Sequence, residues 1–388
     1  MGSIASNRRC RCCWLAALAF LCAAASAAAQ TPVPSAPALN AESYLLVDFH
    51  SGHEFAAANA DDRVEPASIT KLMTSYVVFH ELRKGNLTLE DEVYVSEKAW
   101  KTPGSRMFIE VDTQVSIEAL LKGMIIQSGN DASVALAEHV AGSEETFASL
   151  MNQYAEQLGM SNTHYMNATG LPDPEHYTTA RDVARLSAAL IREFPELYSW
   201  YSEKEYTYND ITQHNRNNLL WRDPAVDGLK TGHTESAGYC LVTSAKRDQM
   251  RLISVVMGAD SEKLRADDSQ KLLNYGFRFF ETHRLYEANT ALDQAEVWKG
   301  ESRSVSLAIG EDLWVTIPRG QYEMLDASMD LPAVLVAPIS AGEQLGVLQV
   351  RLGDETIHQQ PLLALDGVEA GGFWRRLSDS VALWFEDF

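Results

Sequence analysis

"EPASITK" (residues 65–71) decides how the rest of this chain is read. Ser68 and Lys71 stand three residues apart, directly after Pro66, and apolar Ile69, Leu72, Met73, Tyr76 and Val77 follow at helical spacing until Gly85 stops the run. A serine at a helix start is most simply an N-cap. The same placement also sets a hydroxyl one helical turn from an amine, on one face of the helix. A hydroxyl is a poor nucleophile until a base takes its proton. The choice between cap and nucleophile therefore rests on the rest of the chain.

Length and composition narrow the classes. The chain has 388 residues, enough for two domains, with 46% hydrophobic and 22% charged residues, as in a soluble globular protein. The net charge of −21 excludes the clustered cations of a nucleic-acid binder. Residues 1–29 read as a secretory signal peptide: Arg8, Arg9 and Arg11, an apolar stretch from Trp14 to Ala25, then Ala27-Ala28-Ala29. The stretch is too short and alanine-rich for a spanning helix, and Ala19-Phe20-Leu21 lacks the small residue that a lipidated Cys22 needs before it. Removing that segment takes three arginines, and the charge from −21 to −24. It also takes four of the five cysteines, leaving Cys240 and no internal disulfide. A buried structural thiol is the simpler reading of Cys240.

Residues 30–43 are a Pro/Ala/Ser-rich tether, and residues 44–60 a hairpin turning at His50-Ser51-Gly52. Helical patterns recur at 116–126, 130–141, 144–158 and 179–192; strands at 239–245 and 250–257 precede a helix from about Lys263 to Thr282. Strands, then helices, then strands predict an α+β domain over 44–285: one antiparallel sheet covered by helices from separate parts of the chain. Short strands between Gly, Pro and Asp turns mark 286–367 as a small all-β domain. Over 371–388, Phe373, Trp374, Leu377, Val381, Trp384, Phe385 and Phe388 fall within roughly a 120° arc of a helix. That face suits a membrane interface, or alternatively packs on the protein itself. Two positive against three negative charges leave lipid electrostatics no part in anchoring. His50 and His53 are read as turn residues, since no His/Glu metal motif accompanies them; no metal or other cofactor is expected.

Two further stretches decide between cap and nucleophile. "IIQSGNDAS" (125–133) sets Ser128-Gly129-Asn130 between helical segments, and "VDGLKTGHTESAGYCLVTS" (226–244) sets Lys230-Thr231-Gly232 just before a strand. Ser-x-x-Lys, Ser-x-Asn and Lys-Thr-Gly in this order are the motif set of penicillin-binding proteins and class A β-lactamases. With "SITKLMTSYVV", "SGNDASVALAE", "VDGLKTGHT" and "YGFRFFET", the sequence resembles the D-alanyl-D-alanine carboxypeptidases of the penicillin-binding protein 5 and 6 group over essentially its whole length.

The resemblance implies a β-lactamase/penicillin-binding-type catalytic fold and a serine carboxypeptidase acting on peptidoglycan pentapeptides, inhibited by β-lactams and held at the periplasmic face of the inner membrane. Ser68 would be the nucleophile and Lys71 its base, neutral through burial and the nearby charge of Lys230. Ser128 would relay a proton to the departing amine and Asn130 bind the substrate amide. The backbone N–H groups of Ser68 and His233 would face the oxyanion. Lys230, Thr231 and Thr234 would supply charge and hydrogen bonds to the substrate's free C-terminal carboxylate, with Gly232 also substrate-binding. Arg265 matches the family's substrate-carboxylate arginine, although its spacing alone equally fits a solvated helix residue. The base for deacylation is open, with Lys71 the family's choice. A β-lactamase is the nearest rival, but "THYMNATGLPDPEHYT" (163–178) lacks its Glu-x-x-Leu-Asn. An endopeptidase would use the same residues. An inactive scaffold would show a degenerate site, and this one is intact. Protein partners are not legible.

Overall fold

A computed structural model describes residues 32–386; the expected signal peptide (1–29) lies outside the described residues. Its central sheet has five antiparallel strands: β1 (Ser43–Asp48), β2 (Glu54–Ala58), β3 (Val226–Thr234), β4 (Gly238–Arg247) and β5 (Met250–Ala259), in the spatial order β2-β1-β5-β4-β3. The β1–β2 hairpin turns through Gly52, whose φ of 71° lies in the left-handed region. β5 is apolar on both faces, apart from Arg251 and Ser254, because both faces of the sheet are covered. Ile253, Val255 and Met257 join the main core with the helices of the middle of the chain, while Leu252 and Leu46 face Gly276 on the opposite helix. A Cβ on Gly276 would stand 2.6 Å from Leu252 Cδ1, so that helix lies close on the sheet.

Four helices place the site. Helix α1 (Lys71–Arg83) follows a 3₁₀ turn over Ala67–Thr70; Lys71 to Phe79 are all buried, so it is a central helix rather than a one-faced one. Helix α2 (Asn130–Ala141) follows a π turn at Gly123–Gln127, with Ser128 and Gly129 between them. Helix α3 (Ala180–Glu193) is N-capped by Thr179, which accepts from Asp182 N. Helix α4 (Glu262–Phe279) is capped by Ser261 and ends three residues before the expected Thr282.

A strand over Phe280–Tyr286 follows α4 directly and pairs with Leu313–Pro318. Beyond it lies a six-stranded sheet whose alternating residues, among them Val297, Val305, Leu307, Leu348, Val350 and Leu362, form a second core. This is the all-β part. It meets the first hairpin through a polar cluster: buried Asp48 accepts from Thr282 Oγ1 at 2.8 Å, and Ser51 and Thr282 hydroxyls stand 2.6 and 2.8 Å from Thr316 Oγ1. The chain closes with α5 (Phe373–Glu386). Asp379 accepts from Lys299 N at 2.7 Å, while Phe373, Trp374, Trp384 and Phe385 are 60–79% exposed.

One motif sits differently from its expected place. Lys230-Thr231-Gly232 lies inside β3, not ahead of a strand: Lys230 pairs with Val242 and Gly232 with Cys240. The buried polar residues Lys230 and Thr231 hide the strand, because they fill positions where its pattern would otherwise be apolar.

Candidate active site

A cavity of about 570 Å³ opens between the 3₁₀ turn, the start of α2 and the edge strand β3. Ser68, Ser128, Asn130, Thr231, Gly232, His233, Thr234 and Arg265 all line it. Lys71 and Lys230 lie buried behind its wall. The structure thus brings every expected site residue to one place.

Ser68 is carried on a strained backbone. Ala67 before it has φ 47°, a conformation an L-residue holds at a cost of order 1 kcal/mol or more. Gly170 packs against this turn with φ 83°, and a Cβ there would lie 1.8 Å from Ala67 O. Gly232 makes the approach from the other side: its Cβ would meet Pro66 O at 3.1 Å and Ala67 Cβ at 3.2 Å. Two backbones close on the turn where only glycine leaves room.

The Lys71 amine makes three contacts. It donates to Asn130 Oδ1 at 2.7 Å and to Thr169 O at 2.6 Å, and stands 3.0 Å from Ser68 Oγ. Burial, then the positive charge of Arg216, lowers its pKa to about 7, against the opposing pull of Asp131. Arg216 is thus a cationic neighbour that the motifs did not flag. Lys71 and Lys230 also oppose each other's charge, and Lys230 is pushed well below its usual value by burial and then by Lys71, Arg216 and Arg265. A neutral Lys71 has two N–H groups for its two carbonyl acceptors, which leaves its lone pair facing the Ser68 hydroxyl.

The other residues are held as firmly. Asn130 Nδ2 donates to Pro103 O at 2.6 Å, so its amide is held at both ends and keeps a second N–H for substrate. The neighbouring Asp131 carboxylate accepts from the N–H groups of Met107, Phe108 and Ile109 and fixes the loop that forms this wall. Ser128 has φ 70°, and among the described residues its buried hydroxyl has no hydrogen-bond partner. A polar atom left so is available to substrate. His233 stacks on Tyr239 at 4.0 Å. Arg265 is 5% exposed; it donates to Gly232 O at 3.0 Å and approaches Glu262 Oε1 at 3.4 Å. It is not the solvated helix residue its spacing allowed.

Sequence reasoning passed over several groups at the site. Arg216 lines the cavity from a loop set by the buried amides of Asn215 and Asn217; the turn-forming N-x-N around it was the available signal. Thr169 enters because Asn167 Oδ1 gathers the N–H groups of Thr169 and Gly170. His176, pushed down to about 4 by burial, accepts from Met166 N at Nδ1, so its Nε2–H is directed to Thr70 Oγ1. Cys240 sits on the strand beside Lys230's, fully buried, and burial raises its pKa to about 11. That keeps the thiol protonated and inert. Among the lining residues the only carboxylate is Glu262, already beside Arg265.

Comparison with known proteins places the chain. A family profile described as D-alanyl-D-alanine carboxypeptidase matches residues 29–261, and one described as the C-terminal domain of penicillin-binding protein 5 matches residues 280–370. The chain belongs to the D-alanyl-D-alanine carboxypeptidase family. The relatives include D-alanyl-D-alanine carboxypeptidase DacC of Escherichia coli, 46% identical over 96% of this chain and 95% of that protein. DacA of the same organism is 43% identical over 92% and 90%. The solved structure of penicillin-binding protein 5 from Haemophilus influenzae matches with a TM-score of 0.84 and 43% identity, over 87% of this chain and 99% of that one. The α+β catalytic domain, all-β domain and terminal helix of this carboxypeptidase-family chain share that arrangement.

Proposed function

We propose that the protein is a serine-type D-Ala-D-Ala carboxypeptidase that removes the terminal D-alanine of peptidoglycan pentapeptides through an acyl-enzyme on Ser68, and that penicillin acylates the same serine. One observation carries this reading: the buried Lys71 amine, with a pKa of about 7, stands 3.0 Å from Ser68 Oγ while both its N–H groups are spent on Asn130 and Thr169. Lys71 takes the Ser68 proton as Oγ attacks the carbonyl of the penultimate residue. The N–H groups of Ser68 and His233 face the oxyanion. Ser128, whose hydroxyl is otherwise unpaired, passes a proton to the leaving amine, and Asn130 orients the substrate amide. Arg265 and Thr234, with the charge of Arg216 nearby, receive the terminal carboxylate. Water then enters, and Lys71 is again the base that lies within reach of the acyl carbon.

The supporting scheme divides the chain into an export signal (1–29), a tether (30–43), a catalytic domain (44–285), an all-β domain (286–367) and a terminal helix (371–388). Peptidoglycan lies outside the cytoplasm, and the protein acts there. Among the described residues no helix is long and apolar enough to cross a membrane. The exposed Trp374, Trp384 and Phe385 would instead lie in the outer surface of the inner membrane.

Intact-protein mass spectrometry with and without a penicillin tests the chemistry. The expected result is a one-to-one adduct on the wild type and none on Ser68→Ala. A wild type that neither forms the adduct nor consumes the penicillin overturns the reading.

A further inference from the structure

Away from the catalytic cavity, a groove of about 700 Å³ runs along the junction between the first hairpin and the all-β part. This is the size and placement of ligand sites, which favour concave seams between domains. On the strand Leu313–Pro318, Leu313 and Val315 join the second core and Ile317 is buried on the same face, which turns Trp314 outward into the groove. The His50 ring lies flat on the indole, 3.9 Å between centroids with the planes 16° apart. Burial pushes His50 below its usual value, so the pair is an uncharged aromatic wall in neutral solution. Opposite it stand His358, Gln344 and Gln359. Gln359 is exposed, and its amide has no hydrogen-bond partner among the described residues. Asp312 is already engaged by Ala288 N and Arg284. Among the described residues the groove therefore offers an aromatic face, the Gln359 amide, the His358 imidazole and the exposed Glu311 carboxylate, and no Lys or Arg lines it. Those groups suit a neutral ligand that carries hydroxyls and acetamido groups on flat C–H faces. The polar cluster of Asp48, Ser51, Thr282 and Thr316 ties the two walls together from beneath, so the groove is already formed.

We propose that this junction groove binds a short run of a neutral β-linked N-acetyl-amino-sugar chain, the glycan to which the peptide substrate is attached. The choice of glycan rests on the peptidoglycan reading above. A hold on the sugar strand separate from the hold on the peptide end raises the local concentration of substrate without a new contact at Ser68.

The probe is chitohexaose, a peptide-free β-1,4 oligomer of N-acetylglucosamine, titrated calorimetrically into the full protein, with maltohexaose as the control sugar. The expected Kd is about 1 mM or tighter. Gln359→Ala should weaken it by about five-fold or more, the worth of one hydrogen bond. Trp314→Ala should weaken it by about ten-fold or more. Because Trp314 also braces the junction, the exposed Gln359 provides the variant that leaves the fold alone. No binding by the wild type, equal binding of maltohexaose, or an affinity unchanged by both substitutions overturns the inference. Penicillin acylation is measured on the same samples. A normal adduct without chitohexaose binding removes the groove and leaves the enzyme reading standing; chitohexaose binding without an adduct does the reverse.

Discussion

In the proposed mechanism, Lys71 is where one side chain governs the chemistry. Its base form is the neutral one, and its pKa of about 7 means that this form grows as pH rises through neutrality. The acylation rate should therefore climb between about pH 6 and 8, with an inflection near the pKa, and level off above it. Stopped-flow acylation by a chromogenic cephalosporin across that range checks this; a flat profile would mean that Lys71 is not the titrating base. Arg265 makes a different kind of prediction. Its guanidinium is buried in the cavity wall beside Gly232, so on the proposed reading Arg265→Ala removes a charge-assisted partner for the substrate carboxylate. A loss of about 10- to 100-fold in kcat/KM for a D-Ala-D-Ala peptide is expected. Ser68, Lys71, Ser128, Asn130 and Lys230 were legible in the sequence because each belongs to a short motif whose spacing carries its own geometry. Arg216 and Thr169 were not. They reach the site only through folded loops, and nothing adjacent in the chain declares a role for them.

The elements around Ser68 depend on close backbone approach. Gly170 belongs to the stretch that delivers the Thr169 carbonyl to Lys71, and it leans on Ala67 where a methyl group has no room. Gly170→Ala should push this stretch off the nucleophile turn, lowering stability by about 1–3 kcal/mol. It should also slow acylation more than Tm loss explains, because Lys71 loses an acceptor. Thermal unfolding and adduct formation at a permissive temperature, measured together, separate the two effects. At this scale the sequence was a good guide to α1, α2, α3 and the β4–β5 pair, whose apolar spacing is set by burial. It was a poor guide to β3, which carries the catalytic strand. Its buried lysine and threonine serve the cavity, so the strand departs from the alternation that identifies strands. The polar hairpin at Glu205–Tyr208 and Ile211–His214 went unread for a related reason, since it buries too little to show a period.

For the molecule as a whole, α5 sets the prediction. Phe373, Trp374 and Phe385 are largely exposed while Asp379 pins the other side of the helix to Lys299. A protein ending at Gly372 should lose co-sedimentation with liposomes yet keep the penicillin adduct, since no residue of α5 reaches the cavity. Retained co-sedimentation would remove the helix as the anchor. The two-part organisation was readable from the change in pattern near the end of α4. How the parts are joined was not, because Asp48, Ser51, Thr282 and Thr316 lie far apart in the chain and are ordinary polar residues in each local context. That joint has a mechanical consequence. The buried Asp48 carboxylate accepts from the Ser51 and Thr282 hydroxyls, and both of these meet that of Thr316; a joint held this way would not swing freely, and it would keep the distance from the cavity to the terminal helix constant. With the helix in lipid, the enzyme would work as a height gauge, trimming the stem peptides that lie one protein-length above the bilayer and passing over those nearer or farther out.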